Sequence, residues 1–518
     1  MTASPRDACR HELSTLRAAT PNCGILEEIE EEDDNMLIKL QRPRLREEFL
    51  NTLEEHTSDI RGIVSDHLSL SQIQQCRISD RSQWLYGDFN ACIPITVTNW
   101  REQRLLLRCP FPYMVGDVSG LDEKVRCEAA TFAWISINCP QVPTPRLWGF
   151  GLPDGLSFKP IRCLPWYRRT LEYLKNCFWS WVLRRPYYTP FIPTNPRYSL
   201  KSGYLLVDFI EKEHGTILSS IWPPDSYEQK QNFYKSLSKV ILDLARCPLY
   251  KIGSFTIDNF GEMSLSNRPL TARLPLLECE DIPTNIPRDR CYTTTDSYLH
   301  DLLDCLDMKL KHQPNSIHEY SDGEEQMACL TTLRSISRHF VLEEFQNGPF
   351  YYVWTDPHRS NIFVDESYRI TCLPDLEWFC ALPVEALHPP FWLSGHPIDD
   401  IVDNKKEYDD MCMEFMTILE REDHHYTVQG SRSCSKAIQK ALGKGTQWFW
   451  ACVSQPGATF HLFFDHLQPR YAPTHWDGPE FRSIISRYWI ENAPRFIEQK
   501  LLEHEHYLGA LRVATSTA

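Results

Sequence analysis

The sequence predicts an α+β fold in which a smaller, strand-rich part precedes a larger, mainly helical part. Two observations carry this prediction. Short runs of alternating apolar residues dominate residues 84–210, around one segment with helical periodicity, whereas beyond residue 211 most apolar residues recur at helical spacing. The chain has 518 residues, of which 42% are hydrophobic, so it is long enough to bury a large core.

The strand-rich part is predicted to hold a hairpin, a strand, a helix and two further strands. In this order the elements fall at residues 84–97, 103–110, 121–134, 143–151 and 203–210. Within the helix, Val125, Ala129 and Phe132 share one face, and Asp122 has the side chain of a favourable N-cap. We expect this helix to pack against a small antiparallel sheet.

Residues 156–202 interrupt the strands with a segment rich in proline and aromatic residues, which we interpret as an insertion. Its most apolar stretch, residues 177–183, is too short to cross a bilayer. Packing in the core or between the two parts of the molecule is one interpretation. Docking to a membrane surface or to a protein partner, through residues 176–183, is the alternative.

The helical part begins after the last predicted strand. Residues 233–244 carry an apolar stripe at helical spacing that ends before Pro248, and residues 254–266 predict a second hairpin. Acidic residues and a helical pattern occupy the start of the chain. The predicted divisions are an extension, the strand-rich part and the helical part, at residues 1–79, 80–210 and 211–510.

Composition narrows the possible partners and the compartment. A net charge of −15 argues against a general binder of nucleic acid or anionic membranes, which needs a basic face. The 19 cysteines are scattered, without a C-x-x-C pair or zinc-ligand spacing, which is typical of free thiols in a reducing compartment. The first residues lack the apolar core of a secretory signal. We therefore expect a cytoplasmic protein without a membrane span.

The strongest functional pattern lies in residues 354–378. Asp356 precedes Asn361 by five residues, and Asp375 follows Asn361 after fourteen. The runs on either side of residues 365–367 alternate like two short strands, so a hairpin there brings Asn361 beside Asp375. Mg²⁺ prefers oxygen ligands of this kind, and a separate carboxylate that orients a hydroxyl completes the set used in phosphoryl transfer from ATP.

Each of these residues also has a structural interpretation, because aspartate and asparagine favour turns. The three together, downstream of a suitable sheet, favour a nucleotide cleft with Asp356 as the catalytic base and Asn361 and Asp375 as metal ligands. Glu377 either supports the metal site or bonds to the backbone.

The sheet supplies candidates for the phosphate side of such a cleft. Arg108 closes a predicted strand, and Glu128 lies on the helix expected to pack against it. A strand cation tied by a helix carboxylate and reaching the α- and β-phosphates is the arrangement that ATP-dependent kinases use. A plain structural ion pair is the alternative.

Two further segments are candidate nucleotide contacts. The turn at residues 87–92, with Gly87, Phe89 and Asn90, is placed to cover the phosphates, since glycine lets a backbone approach them closely. An ordinary hairpin turn is equally compatible with it. Val207, Asp208 and Phe209 lie where an adenine-binding connection between the two parts would fall. A buried strand is the alternative interpretation of these residues.

These residues resemble the aminoglycoside-phosphotransferase-like family, in particular its fungal branch. The resemblance covers roughly residues 80–420 and rests on the motifs at residues 87–90, 106–112, 123–128, 203–208, 267–270, 356–365, 372–383 and 389–395. It implies a two-lobed protein-kinase-like fold, ATP as phosphate donor, Mg²⁺ and a small-molecule hydroxyl as acceptor. It also implies that Asp356 is the base, that Asn361 and Asp375 are the Mg²⁺ ligands, and that Arg108 pairs with Glu128.

The chain departs from the family pattern at two positions. Trp354 stands where the family usually has histidine, two residues before the base, and Arg108 stands where protein kinases carry lysine. Two functions follow as hypotheses. The first is an ATP-dependent small-molecule kinase, and the second is a catalytically weak protein that binds nucleotide or serves as a scaffold.

Overall fold

The structure is a computed structural model. It describes residues 30, 32, 34–70, 75–98, 100, 104–184, 190–426, 433–455, 457–472 and 478–517. Most of the predicted acidic start of the chain, and Gln103 at the start of a predicted strand, therefore lie outside the described residues.

The strands are short and occur mainly in the first half of the chain. They are β1 (Cys76–Ile78), β2 (Leu85–Tyr86), β3 (Asn90–Val97), β4 (Arg104–Pro110), β5 (Leu147–Gly151), β6 (Ser157–Pro160), β7 (Phe191–Thr194), β8 (Tyr204–Asp208), β9 (Thr216–Ile217), β10 (Ser254–Ile257), β11 (Met263–Asn267), β12 (Tyr351–Trp354), β13 (Phe363–Val364), β14 (Ile370–Cys372) and β15 (Phe379–Leu382).

Helices dominate the second half. They are α1 (Met36–Lys39), α2 (Arg42–Glu55), α3 (Thr57–Leu68), α4 (Val118–Asn138), α5 (Trp166–Leu183), α6 (Tyr227–Ala245), α7 (Arg273–Cys279), α8 (Thr295–His312), α9 (Tyr320–Ile336), α10 (Lys405–Tyr426), α11 (Cys434–Lys444), α12 (Thr446–Ser454), α13 (Thr459–Leu462), α14 (Gln468–Tyr471), α15 (Pro479–Ile485) and α16 (Ala493–Thr517). No helix among the described residues is long and apolar enough to cross a membrane.

The main sheet is antiparallel, in the order β1-β3-β4-β8-β5-β6-β7, with β2 also paired to β3. Buried apolar residues of α2 and α3 form one core with β3 and β4, which attaches the start of the chain to the sheet. A larger core joins α4 to the helices of the second half. The mixed architecture of an antiparallel sheet followed by many helices is as predicted.

The predicted order of hairpin, strand, helix and two strands is confirmed, as β2–β3, β4, α4, β5 and β8. The predicted N-cap of the helix is wrong. The helix begins at Val118, and the side chain of Asp117 accepts the backbone N–H of Gly120 at 2.7 Å. Asp122 lies within the helix and pairs with Arg126 at 2.7 Å. A short aspartate side chain caps best where the backbone is still extended, as it is at Asp117.

Helix α4 is fastened to the second hairpin, β10–β11, by a buried ionic cluster. Arg268 donates to Glu123 of α4 at 2.9 Å and to Glu278 of α7 at 2.6 Å. Asn267 adds a bond of 2.9 Å to the same carboxylate of Glu123. The motif at residues 267–270 therefore holds the helix that carries Glu128.

The insertion extends the sheet with β6 and β7, and α5 lies between them. Apart from the buried Asn176, most side chains of α5 face solvent, and Trp166 and Trp181 are 74% and 78% exposed. The interpretation of residues 177–183 as a core or packing segment is therefore wrong. The helix connects β6 to the edge strand β7, and none of its described apolar side chains belongs to either core.

Replacing Trp181 with serine is expected to change the free energy of unfolding by less than about 0.5 kcal/mol, because an exposed side chain loses little packing. The matched replacement of Trp134, which is 3% exposed, is expected to cost about 3–5 kcal/mol. Urea unfolding of both variants measures the difference. A large loss for the Trp181 variant would mean that α5 is packed in solution.

Candidate active site

The predicted hairpin at the centre of the candidate site is present. Strands β13 and β14 pair in antiparallel fashion, with Phe363 opposite Cys372. Asn361 lies two residues before Phe363 and Asp375 three residues after Cys372, so both lie at the open end of this hairpin. Strand β9 pairs with the other edge of β13, so the segment that leaves β8 runs directly to the hairpin.

The turn of the hairpin is stabilised by Asp365. Its carboxylate accepts the backbone N–H groups of Ser367 at 2.8 Å and Arg369 at 2.9 Å. Tyr368 takes a left-handed φ of 62°, and its hydroxyl donates to the carbonyl of Ile221 at 2.6 Å. This local bonding explains why the segment from residue 365 to 367 acts as a turn.

The loop that carries Asp356 is held on both sides. The backbone N–H and the hydroxyl of Thr355 both donate to the carbonyl of Trp378, at 3.0 and 2.7 Å. The indole of Trp392 donates to the carbonyl of Pro357 at 2.6 Å. Asn361 donates to Asp356 through Nδ2–H to Oδ2 at 3.4 Å. The predicted base and one predicted metal ligand are thus adjacent.

Trp354, which replaces the histidine of the family pattern, is buried and stacks on Phe379 with ring centroids 6.0 Å apart. It sits in β12, paired with β15. The ring of His358, two residues beyond Asp356, accepts the backbone N–H of Ser360 and so caps the short turn before Asn361. The loop is therefore positioned by Thr355, His358 and Trp392.

The environment of Asp356 raises its pKa to about 6. Burial of the carboxyl is the largest cause, and the negative charges of Asp375 and Asp88 act in the same direction, whereas the bond from Asn361 opposes them. A carboxylate with a pKa near the working pH is suited to accept a proton.

Arg108 connects the sheet to the hairpin. Its Nη1–H donates to the carbonyl of Pro374 at 2.9 Å, and its Nη2–H donates to Asp375 at 3.0 Å. Nη2 also lies 3.4 Å from Glu128. Burial opposes the charged form of Arg108, but Asp375 and Glu128 outweigh it and hold its pKa well above the usual value. The predicted pairing of Arg108 with Glu128 is therefore present in the structure.

A second buried cation, Lys124, joins the same cluster and was not predicted. Its Nζ lies 2.5 Å from Glu377 and 3.7 Å from Glu128, and it donates to Asn90 at 2.9 Å. Asn90 in turn donates to Glu377 at 2.8 Å. Lys124 precedes Glu128 by four residues, so the two share a helix face, and this spacing was the available signal.

Glu377 is a buried member of this cluster and bonds to side chains. Burial raises its pKa to about 7, and the charge of Asp375 adds to this, while Lys124 opposes it. The cluster holds three carboxylates, Asp375, Glu377 and Glu128, against the cations Arg108 and Lys124. A further cation would be electrostatically favoured beside Asp375.

The turn at residues 87–92 lies over this cluster. The ring of Phe89 packs edge-on against Trp378 at 4.9 Å between centroids, and the charge of Asp88 acts on Asp356. A Cβ at Gly87 would meet nothing within 4 Å, so the space above the turn is open there. Asn90 is turned inward, and its amide is used in the cluster.

Val207, Asp208 and Phe209 lie at the end of the central strand β8. The backbone N–H of Asp208 donates to the carbonyl of Arg146, and that of Phe209 to the carbonyl of Arg104, both at 3.1 Å. The Asp208 carboxylate accepts the indole N–H of Trp148 at 2.6 Å. These groups therefore have protein partners, and a nucleotide contact at this edge stays a prediction.

Asp375 and Asn361 offer the donor set that suits Mg²⁺, a carboxylate and a carboxamide oxygen. A cation between them would offset the repulsion that Asp375 exerts on Asp356. Within the described residues no group of three or more His, Cys, Asp or Glu side chains forms a metal cage. Nucleotide phosphates and water would have to supply the remaining ligands, as is usual for this ion.

A cavity of about 550 Å³ opens beside Asp356. Its walls come from α6, β12, α8 and the segment 386–398, and Trp354 and Trp392 are among its lining residues. Three acidic residues that follow this segment in the sequence, Asp399, Asp400 and Asp403, are not among the described lining residues, and Asp399 pairs with His461 at 2.6 Å.

Comparison with solved structures finds phosphotransferases for small molecules. A type I macrolide 2'-phosphotransferase is 10% identical with a TM-score of 0.35, and the match covers 82% of this chain and 96% of that one. APH(2")-IIa, solved with gentamicin, is 9% identical with a TM-score of 0.36 and coverages of 85% and 96%. The apoenzyme of a macrolide 2'-phosphotransferase from Brachybacterium faecium is 9% identical with a TM-score of 0.32 and coverages of 78% and 98%.

No protein-family model and no curated protein sequence matches the chain. The solved structures are proteins of the kind that the sequence motifs resemble. Because the TM-scores are 0.32 to 0.36, catalysis and substrate are inferred below from the residues of the site alone.

Proposed function

We propose that the protein is an ATP-dependent phosphotransferase that moves the γ-phosphate to a hydroxyl group of a small molecule with the help of Mg²⁺. The observation that carries the proposal is the meeting of residues far apart in the sequence. Arg108 of β4 bonds to Asp375, and Glu128 of α4 lies against Arg108. The charge of Asp375 acts in turn on Asp356, which bonds to Asn361 and lines a cavity of small-molecule size.

In this proposal Asp356 orients the acceptor hydroxyl and takes its proton. A bond forms between the acceptor oxygen and the γ-phosphorus, the bond from that phosphorus to the β–γ bridging oxygen breaks, and ADP leaves. The raised pKa of Asp356 suits it to receive the proton as the new ester forms.

Arg108 and Lys124 supply the positive charge for the phosphate side. Arg108 donates to Asp375 and so places its charge beside the proposed metal site, whereas Lys124 offsets the charges of Glu128 and Glu377. Asn361 and Asp375 would hold Mg²⁺, which neutralises charge on the transferring phosphate when bound. The turn with Gly87 and Phe89, and the segment at Val207 to Phe209, are the proposed nucleotide contacts.

A thermal-shift titration with ATP tests the proposal. We expect ATP with Mg²⁺ to raise the melting temperature, because a ligand at 100 times its Kd adds about 2.7 kcal/mol of stability. The increment is expected to shrink without Mg²⁺ and to vanish in Asp375→Asn. Asp410→Asn, at an exposed pair with Lys406, is the matched control and should keep the full increment. Absence of any stabilisation at millimolar ATP would contradict the proposal.

A binding or scaffold protein is the second candidate, and the exposed helix α5 favours it. Its aromatic side chains, including Phe178 and Trp181 within residues 176–183, are available to a protein partner. The free thiols of the described cysteines fit a reducing compartment such as the cytoplasm. ATP consumption in a screen of hydroxyl metabolites separates the candidates, since a scaffold binds nucleotide without turnover.

A further inference from the structure

One arginine stands in the wall of the cavity beside Asp356. The cavity is lined mainly by apolar side chains, among them Leu237, Leu302, Trp354 and Trp450. Arg273, the first residue of α7, is the one arginine among its described lining residues. A mainly apolar cavity with a single strong cation selects for ligands of opposite charge at one point and apolar surface elsewhere.

The charge of Arg273 has no counter-charge in the described part of the chain. Arg273 is 9% exposed, and both of its Nη atoms are buried without a hydrogen-bond partner among the described residues. The ionisable side chains that act on it are Cys305 and Tyr298. Burial raises the pKa of Cys305 to about 12 and that of Tyr298 well above its usual value, so both are neutral at pH 7.

The two other buried arginines of the described structure both have carboxylate partners. Arg268, five residues earlier, binds the carboxylates of Glu123 and Glu278, and Arg108 binds Asp375. Burial lowers the pKa of Arg273 to about 9, so its guanidinium is still charged at neutral pH. Burying an unpaired charge is costly, and a site that retains one gains from an anion supplied by a ligand.

We infer that Arg273 binds a carboxylate of the phosphate acceptor, so that the acceptor is a hydroxy acid with an apolar body. This inference rests on the proposed phosphotransferase function. Both Nη atoms are buried, so the side chain turns toward the cavity on binding, and its planar guanidinium then matches a carboxylate with two parallel hydrogen bonds. The aromatic and aliphatic walls cover the body of the ligand, and its hydroxyl faces Asp356 at the same cavity.

Matched pairs of probes test the inference. The probes are ω-hydroxycarboxylic acids of about 6–12 carbons, a length that suits a pocket of small-molecule size. Each acid is paired with the corresponding hydroxyamide, which differs from it only in the charge at one end. Binding is measured by calorimetry without nucleotide. We expect at least one acid to bind about tenfold or more tightly than its amide, which is the order of a single charged hydrogen-bonded contact. An equal affinity of acids and amides across the series would overturn the inference.

Variants of Arg273 assign the preference to this residue. In Arg273→Gln the ratio of acid to amide affinity is expected to fall to about one, and in Arg273→Lys part of it should return. A preference that survives in Arg273→Gln would contradict the inference. The melting temperature of Arg273→Met without ligand should be unchanged or higher, because an unpaired buried charge is removed. A fall of more than about 5 °C would mean that Arg273 has a structural partner, and would also overturn it.

The test of the carboxylate site and the test of the phosphotransferase function can fail separately. Acid binding that depends on Arg273, without ATP stabilisation, would keep the carboxylate site and reject the proposed function. Stabilisation by ATP with Mg²⁺, without a preference for acids, would keep the function and reject the carboxylate site.

Discussion

Replacing Asp356 with asparagine is expected to lower the rate of phosphotransfer by about 10²–10⁴-fold, the usual contribution of a positioned general base. The same change is expected to raise the free energy of unfolding at pH 7 by about 1–3 kcal/mol. Burial and the charges of Asp375 and Asp88 disfavour the ionised form of Asp356, and asparagine removes that charge without changing the shape of the side chain. Loss of activity with a gain in stability is the expected signature.

The pH dependence of both effects follows from the raised pKa. The folded-state pKa of Asp356 is about 6, against an ordinary value of 3.8. Activity should therefore rise with pH up to about 6 and level off above it, because the carboxylate must be ionised to accept a proton. The stability penalty of the ionised group is present above pH 6 and is lost as the pH falls below the ordinary value. The difference in the free energy of unfolding between Asp356→Asn and the parent should therefore shrink as the pH falls from about 6 to about 4.

Steady-state kinetics and urea unfolding between pH 4 and 8 measure these effects. Nucleotide binding by Asp356→Asn serves as the control and should be retained, since the proposed metal ligands Asn361 and Asp375 are unchanged. Turnover equal to that of the parent would show that Asp356 is not the base.

Replacing Arg108 with methionine is expected to lower the free energy of unfolding by about 3–5 kcal/mol and to abolish stabilisation by ATP. Glu128 is fully buried, and neither of its carboxylate oxygens has a hydrogen-bond partner among the described residues. Its charge is balanced by Arg108 at 3.4 Å and Lys124 at 3.7 Å. Loss of Arg108 leaves this buried charge poorly compensated.

A double variant separates the charge effect from simple loss of packing. Arg108→Met combined with Glu128→Leu should be more stable than Arg108→Met alone, because both buried charges are then removed. Arg44→Met, at an exposed pair with Glu48, is the control and should cost less than about 1 kcal/mol. Denaturant titration of the parent, the single variants Arg108→Met and Glu128→Leu, and the double variant gives the cycle. A double variant no more stable than the single one would contradict the ionic role of Glu128.

The candidate site was predicted best where its parts are close in the sequence. Asp356, Asn361 and Asp375 lie within one hairpin and its flanks, and the turn signal at residues 365–367 determines their register. The pair of Arg108 and Glu128 was also found, because a strand and the helix after it pack together by short connections. The helix start was misplaced by five residues, since Asp117 and Asp122 are both chemically suitable caps.

Long-range contacts decided what the sequence could not. The membership of Lys124 in the cluster depends on Glu377, which is 253 residues away along the chain. The unpaired charge of Arg273 becomes visible only when the packing around α7 is known.

The sequence by itself determined the order of strands and helices and the hairpin that carries the candidate site, because alternation, helical spacing and turn chemistry are local properties. The tertiary structure alone decided that α5 is exposed, that Lys124 is buried beside Glu377, and that Arg273 stands in the cavity wall without a carboxylate. Burial and charge balance depend on which distant segments meet, and no local pattern of residues specifies that.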